Sequence, residues 1–478
     1  MTSVASLQST KTFLFILGLV AMLPVASATD RGLGAVITRN RAFVGPPGTP
    51  AGKTLVYQVA LPFQLSTDKA ALFCNVRESQ VKGLDYEVGA DVIIFDSVTA
   101  PGGYQPVSLT RLHHEVNPNT RPPRRAAMVK YPARGGFIPL GAKRADGTPF
   151  PHAGTGFAVN VAAAWDWDTP DSVPRVWPFK DGPPWHIYTY MGKESYGYIE
   201  LHQLTYDGKE FRVVSSRRVN HEDLLPGWII GNGGVTNAIP SGNDLLVGMV
   251  GRRVDGKGGS GIMRWRFLKG EWTPVDFTLV PGTDSSFEPS LVRDLDGSLF
   301  FLARDSSNDI RIRRSADEGK TWTTVVHAAG LISRAPVSLN RAANGTLYVA
   351  ANLYQVVLQA TDKIHLYKSP QGRINLGGAT RNAIYVWPLN EKRDGLGVPL
   401  KVRDCLEEWG SPASGSVWRL DHPVGATVRL ADGRWHTVLA SRVLDFAEAL
   451  YATPPTERTG TYLDEIISEG EPVPVWNF

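Results

Sequence analysis

Along most of this chain, hydrophobic and polar positions alternate in short runs, and glycine-centred turns break the runs at intervals too short for helices. One phrase recurs: a strand-like run, a turn ending in Gly, and a second run. It reads EPSLVRDLDGSLFFLAR at 288–304, APVSLNRAANGTLYVAANLY at 335–354 and PVGATVRLADGRWHTVLASR at 423–442. Looser copies are GGVTNAIPSGNDLLVGMV at 233–250 and GGFIPLGAKRADG at 135–147. The turn glycines Gly242, Gly297 and Gly345 stand 55 and 48 positions apart. Period-two alternation predicts half-buried strands, and units of this length predict a β-propeller rather than a sandwich.

One unit predicts four strands, at 287–293, 298–304, 310–316 and 323–328. Others run over about 127–218, 233–277, 333–390 and 421–478, and 54–112 supplies a less regular one. The expectation is an all-β propeller of four-stranded blades, six in number, or seven if 375–420 hides another. Along the chain this gives a signal peptide at 1–28, an N-terminal segment with an irregular first blade at 29–126, and propeller blades at 127–478.

Composition agrees with a turn-rich, aromatic-rich globular protein: 48 Gly, 34 Pro and 13 Trp in 478 residues, 42% hydrophobic. The net charge of +4 gives no electrostatic case for nucleic acid. Lys11, the apolar run 13–23 and Ala26-Ser27-Ala28 read as an export signal cleaved near Ala28. The expectation is a secreted or periplasmic monomer with no membrane segment in its mature form. In an oxidising compartment Cys74 and Cys405 are expected to pair, fastening the first blade to the last. His113, His114 and Glu115 lack further ligands at a credible spacing, so no metal is expected. GNGG and GKGGSG lack the strand-to-helix setting of a nucleotide loop, so no cofactor is expected either.

Residues 313–322, RRSADEGKTW, hold Ser315, Asp317, Gly319, Thr321 and Trp322 in the order S-x-D-x-G-x-T-W. This stretch resembles the Asp-box of sialidases and related propellers. The residue types have local work: a carboxylate accepts backbone N–H groups in the turn, Gly takes a positive φ, and Trp covers the hairpin. The motif speaks for architecture rather than chemistry.

The resemblance to sialidases extends, at family level, over most of 127–478. Sialidases carry a glutamate on the innermost strand of a middle blade, then a Gly turn and an arginine on the next strand. FEPSLVRDLDGSLFFLAR is similar, with Glu288 nine residues before Gly297 and Arg304 seven after it. The resemblance implies that Glu288 polarises a nucleophile and that Arg304 belongs to a triad clamping a substrate carboxylate. In the family the nucleophile is a tyrosine, an exception to the two-carboxylate scheme. A cross-strand ion pair is the structural alternative for Glu288 and Arg304. The chain departs from the family pattern twice. Phe137 stands where the arginine of the first-blade R-I-P phrase belongs, with Arg134 nearby but out of register. Nine residues before Gly433 is Val424, beside Asp421 and His422, with no tyrosine.

Other residues qualify by type. His152 and His422, each at the entrance of a blade, are candidates to converge at the channel mouth as acid or base, with a hydrogen-bonded structural histidine as the alternative for each. Tyr354 occupies the strand position matching Arg304 and reads either as a displaced nucleophile or acid or as a residue that packs and hydrogen-bonds between blades. Arg334 reads as a replacement clamp or a surface pairing residue, and Trp165, Asp166 and Asp168 as an aromatic-acidic loop suited to a sugar or a turn with packed indoles. Asp404, Glu407, Glu408 and Trp409 read as a lid or a solvated acidic loop. Arg121, Arg124, Arg125, Lys130 and Arg134 form a basic run that either steers an anionic glycan or is a solvated loop. Together these lead to a secreted sialidase-like glycoside hydrolase of exo-α-sialidase type, acting on terminal acidic or decorated sugars of a carbohydrate partner. A propeller polysaccharide lyase and a non-catalytic glycan-binding propeller are the competing readings.

Overall fold

A computed structural model describes residues 32–43, 55–78, 87–99, 105–111, 126–129, 134–144, 146–165, 195–219, 221, 223–253, 256–284, 286–305, 307–333, 335–353, 381–410, 416–447, 458–473 and 475–478. Six antiparallel blades surround a central axis. Blade one holds β2 (Leu55–Gln64), β3 (Ala70–Glu78), β4 (Glu87–Phe95) and β5 (Gln105–Arg111). Blade two holds β7 (Arg134–Ile138), β8 (Thr155–Trp165), β9 (Ser195–Tyr206) and β10 (Phe211–Val219). Short β6 (Ala126–Val129) pairs with both β4 and β8, so the first two blades form one continuous sheet.

Blade three is built on β11 (Trp228–Gly233) and β12 (Ile239–Ser241), both paired with β13 (Asp244–Arg253), then β14 (Gly258–Leu268) and β15 (Glu271–Leu279). Blade four is β16 (Phe287–Arg293), β17 (Leu299–Arg304), β18 (Ile310–Ser315) and β19 (Thr323–Ala328). Its four strands are those predicted from the alternation and the turn spacing. Blade five is β20 (Ser338–Arg341), β21 (Leu347–Ala351), β22 (Ala383–Pro388) and β23 (Leu400–Asp404). Residues in 375–420 therefore finish blade five and begin blade six, and six is the count.

Blade six corrects the sequence reading most. Its strands β24 (Ser416–Arg429), β25 (Trp435–Ala447) and β26 (Gly460–Ser468) are joined by β1 (Leu33–Phe43), which pairs antiparallel with β26 from Leu33↔Ser468 to Phe43↔Thr461. One strand from near the N-terminus thus completes the blade formed by the C-terminus and closes the ring. The innermost strands β2, β7, β11, β16, β20 and β24 contact one another or their neighbours' second strands around the axis.

Packing between blades follows the period-two faces. On blade six, Val438 and Ala440 pack against Tyr57, Leu72 and Cys74 of blade one. The alternate face of the same strand, Leu439 and Val443, packs against Ile384, Val386 and Cys405 of blade five. The expected Cys74–Cys405 disulfide is therefore absent, and both thiols are free and buried. Cys405 opens the short helix α1 (Cys405–Trp409) on blade five, so blade six stands between the two sulfurs. Burial pushes both thiols well above their ordinary range. No helix among the described residues is long and apolar enough to cross a membrane.

The Ser315–Trp322 turn behaves as its residue types require. Asp317 accepts from Thr321 N at 2.8 Å, Thr321 Oγ1 at 2.6 Å and Ser315 Oγ at 2.7 Å. Those donors, the Thr321 hydroxyl foremost, hold its carboxyl down to about 2. Gly319 takes φ 87°, and Trp322 donates its indole N–H to Gly319 O while its edge meets Phe301. Every partner of Asp317 lies within the turn, whereas Glu318 accepts from Ser241 of blade three at 2.8 Å. At the far end of the axis from the strand starts, a cavity of about 160 Å³ is lined by Phe63, Phe137, Leu291, Asn340 and Trp476.

Candidate functional site

The strand starts carry the polar residues. Glu288 lies second on β16, at φ 53°, in a register shift between Phe287 and Pro289. A positive φ is uncommon for a non-glycine residue, and here it turns the side chain out of its strand's alternation. Arg304 ends β17 directly opposite Phe287, donates from Nη1 to Glu288 Oε2 at 2.8 Å, and lies 4.6 Å over the Phe287 ring. The hairpin arithmetic thus brings glutamate and arginine together. They are not isolated on an outer face: charge interactions link the buried Glu288 to His422 of blade six and to Arg134 of blade two. Burial opposes ionisation of Glu288, but Arg304, His422 and Arg134 outweigh it, and its carboxyl stays below the ordinary range.

Blade six repeats the device. His422 also has φ 53° and lies in a register shift between Asp421 and Val424 of β24. Asp421, fully buried, accepts from His422 Nδ1 at 2.8 Å, Arg419 Nε at 2.7 Å and Arg381 Nη1 at 2.8 Å. Arg442, opposite Asp421 on β25, adds a forked pair at 2.8 and 3.0 Å and reaches Gln58 Oε1 of blade one at 3.0 Å. Desolvation favours the neutral acid, but Arg442, His422 and Arg419 hold Asp421 ionised, well below the ordinary range. Arg381, just before β22, feels the burial, then Arg419 and Arg304, and drops to about 9. For His422, burial outweighs the pull of Asp421 and Glu288, and the ring favours its neutral form.

Arg134 opens β7 and is 2% exposed. Its side chain passes over Gly233, where a Cβ would collide with it, and its Nε donates to Gly234 O. The GNGG stretch is thus the backbone platform that lets a long cation through. Phe137, three residues on, packs with Phe63 and Phe211 instead. The register that set Arg134 aside in the sequence is corrected: Arg134, not residue 137, contributes the blade-two cation near Glu288.

The convergence of His152 with His422 does not occur. His152 lies in the turn after β7, at the opposite end of that strand from Arg134, exposed and stacked on Phe267 at 3.8 Å. The acidic stretch at 404–409 is a capped helix: Asp404 accepts from Leu406 N, and Glu407 and Glu408 pair with Lys401 and Arg403. Tyr354, Arg334, Asp166 and Asp168 lie outside the described residues, as does the side chain of Trp165 at the end of β8. Arg121, Arg124, Arg125 and Lys130 lie outside them too.

Sequence reasoning named Asp421 only as the neighbour of His422, and missed Arg381, Arg419, Arg442 and Gln58. The offsets that found Glu288 and Arg304 lead from Gly433 to Val424 and Ala440, and Asp421 faces Arg442 only beyond the register shift between Asp421 and Val424. Arg381 carries no local signal, because it reaches Asp421 only through tertiary folding. Among the described residues no cluster of His, Cys, Asp and Glu could hold a metal ion.

No family model matches the chain, and no curated protein does. Solved structures do. A protein of unknown function from Dyadobacter fermentans superimposes with TM-score 0.51 at 12% identity, over 92% of this chain and 98% of that one. A mutant of NanB sialidase from Streptococcus pneumoniae gives TM-score 0.50 at 10% identity, over 93% of this chain and 72% of that one. A mutant of Trypanosoma rangeli sialidase displaying trans-sialidase activity gives 0.48 at 10%, and the chain spans 59% of its length. The likeness establishes a sialidase-like propeller fold.

Proposed function

We propose that this protein is a glycan-active hydrolase whose channel mouth takes an acidic sugar, with Arg304 and Arg134 holding the carboxylate and the glycosidic bond lying beside Glu288 and His422. One observation carries the reading: cations from three blades, Arg134, Arg304 and Arg381, gather around Glu288 and the Asp421–His422 pair. Planar guanidinium forks bind carboxylates bidentately, and a buried setting strengthens them. The reading includes export after cleavage near Ala28, a monomer, and Asp-box membership for the Ser315–Trp322 turn.

Calorimetry with N-acetylneuraminate and glucuronate, alongside turnover of their methylumbelliferyl glycosides, tests it. Arg304→Lys replaces the fork with a point charge and is expected to weaken binding by roughly ten- to a hundredfold, the worth of one charge-assisted hydrogen bond. Binding of neither acid, with no turnover, would end this reading. A histidine held by a carboxylate where a tyrosine was expected favours a second one, elimination at a uronate. New ultraviolet absorption from a uronate polymer would select it, because elimination leaves a 4,5-unsaturated uronate beside the new reducing end and hydrolysis leaves no double bond.

A further inference from the structure

Asp421 fixes the ring of His422 from one side. Oδ1 lies 2.8 Å from Nδ1, and the carboxylate is itself held by Arg381, Arg419 and Arg442. An ionised carboxylate only accepts, so Nδ1 carries the proton and Nε2 keeps its lone pair. Nε2 has no hydrogen-bond partner among the described residues, and the side chain stays 12% exposed, so a small molecule can reach it. Non-glycine residues in the left-handed region are strained and gather at functional sites. Glu288 and His422 share that conformation at matching strand starts on blades four and six.

We propose that His422 is the catalytic base of this site, taking a proton at Nε2 from the water that attacks the bound sugar, with Asp421 as its positioning residue. This rests on the hydrolytic reading above. One O–H bond of water breaks and its proton passes to Nε2. The oxygen pair forms the bond to the anomeric carbon. The bond from that carbon to the aglycone oxygen breaks and its electrons stay on that oxygen, which leaves a methylumbelliferyl probe as a phenolate. The imidazolium then releases its proton to solvent. Charged groups around the ring are Asp421 and Arg419 of β24, Arg442 of β25, Arg381 before β22 and Glu288 of β16. Water enters opposite the leaving group, so the anomeric configuration inverts, whereas a covalent glycosyl intermediate would retain it.

Methylumbelliferyl α-N-acetylneuraminide is the probe, with proton NMR identifying the first anomer released. An inverted product is expected. His422→Ala should slow kcat by about a hundredfold or more, with partial rescue by imidazole, while N-acetylneuraminate still binds. A retained product, or an undiminished kcat, overturns the proposal. Isotope-labelled histidine NMR of the resting protein decides the same point without a substrate: the proton should sit on Nδ1, and a proton on Nε2 overturns the base assignment. Failure of N-acetylneuraminate and glucuronate to bind would instead sink the carboxylate-binding reading, and the nitrogen shifts would still judge His422.

Discussion

Asp421→Asn keeps the shape of the carboxylate and deletes its charge. The group it disturbs is large: Arg442 at 2.8 and 3.0 Å, Arg419 at 2.7 Å, Arg381 at 2.8 Å and His422 at 2.8 Å. Arg442 is 1% exposed on its side chain, Arg381 11% and Arg419 19%, so water cannot replace the lost acceptor cheaply. Removing one partner of a buried ion pair costs about 3–5 kcal/mol, because the remaining charge stays desolvated. Three guanidinium groups share this carboxylate, so the upper half of that range is expected. Urea unfolding should show a lower midpoint at unchanged slope. The sign with pH follows from the depressed carboxyl. Its contribution is complete above the unfolded value of about 4 and is lost as pH falls through the folded value. The gap between native protein and variant should therefore be constant near neutrality and narrow in acid. A loss under about 1 kcal/mol, or a gap that widens in acid, would refute the reasoning.

Asp317→Ala should lower the melting temperature and leave turnover per folded molecule unchanged, since its partners are all in its own turn. Lost turnover at an intact melting temperature would make it a catalytic group. Tyr348→Phe should stabilise by about 1 kcal/mol, because the hydroxyl is fully buried with no partner among the described residues. Destabilisation of that size in chemical unfolding would show that the hydroxyl is satisfied. Cys74 and Cys405 should ignore a thiol reagent in the native protein and react together after unfolding. A non-reduced digest that yields linked peptides would contradict the placement of blade six between them.

Blade four was legible to within one residue at each strand end because its four strands follow one another with short turns, each marked by Gly or Asp. Blade six was not, because the partner of its outermost strand lies at the other end of the chain, and alternation says nothing about which strand pairs with which. The same limit governed the site. Glu288 and Arg304 sit on one hairpin and were found by counting. Arg134 was set aside by a three-residue offset that only the Gly233–Gly234 platform resolves. His152 failed for the converse reason: a histidine at a turn can lie at either end of a blade, and its type does not say which.

The pairing of β1 with β26 sets the order of events on the ribosome. Blades one to five are each contiguous in the chain and can assemble as they emerge, but blade six lacks its outer strand until Leu33–Phe43 meets Gly460–Ser468. Those N-terminal residues are synthesised first and used last, so throughout translation they are an unpaired edge-forming strand. The open ring also presents the bare edge of β26 until that meeting, and a strand from another chain could take the same place. Such an exchange would yield linked dimers, whose yield would rise with protein concentration during refolding. Loop closure between such distant segments is slow, so ring closure, rather than the folding of any blade, is where crowding and chaperones would act.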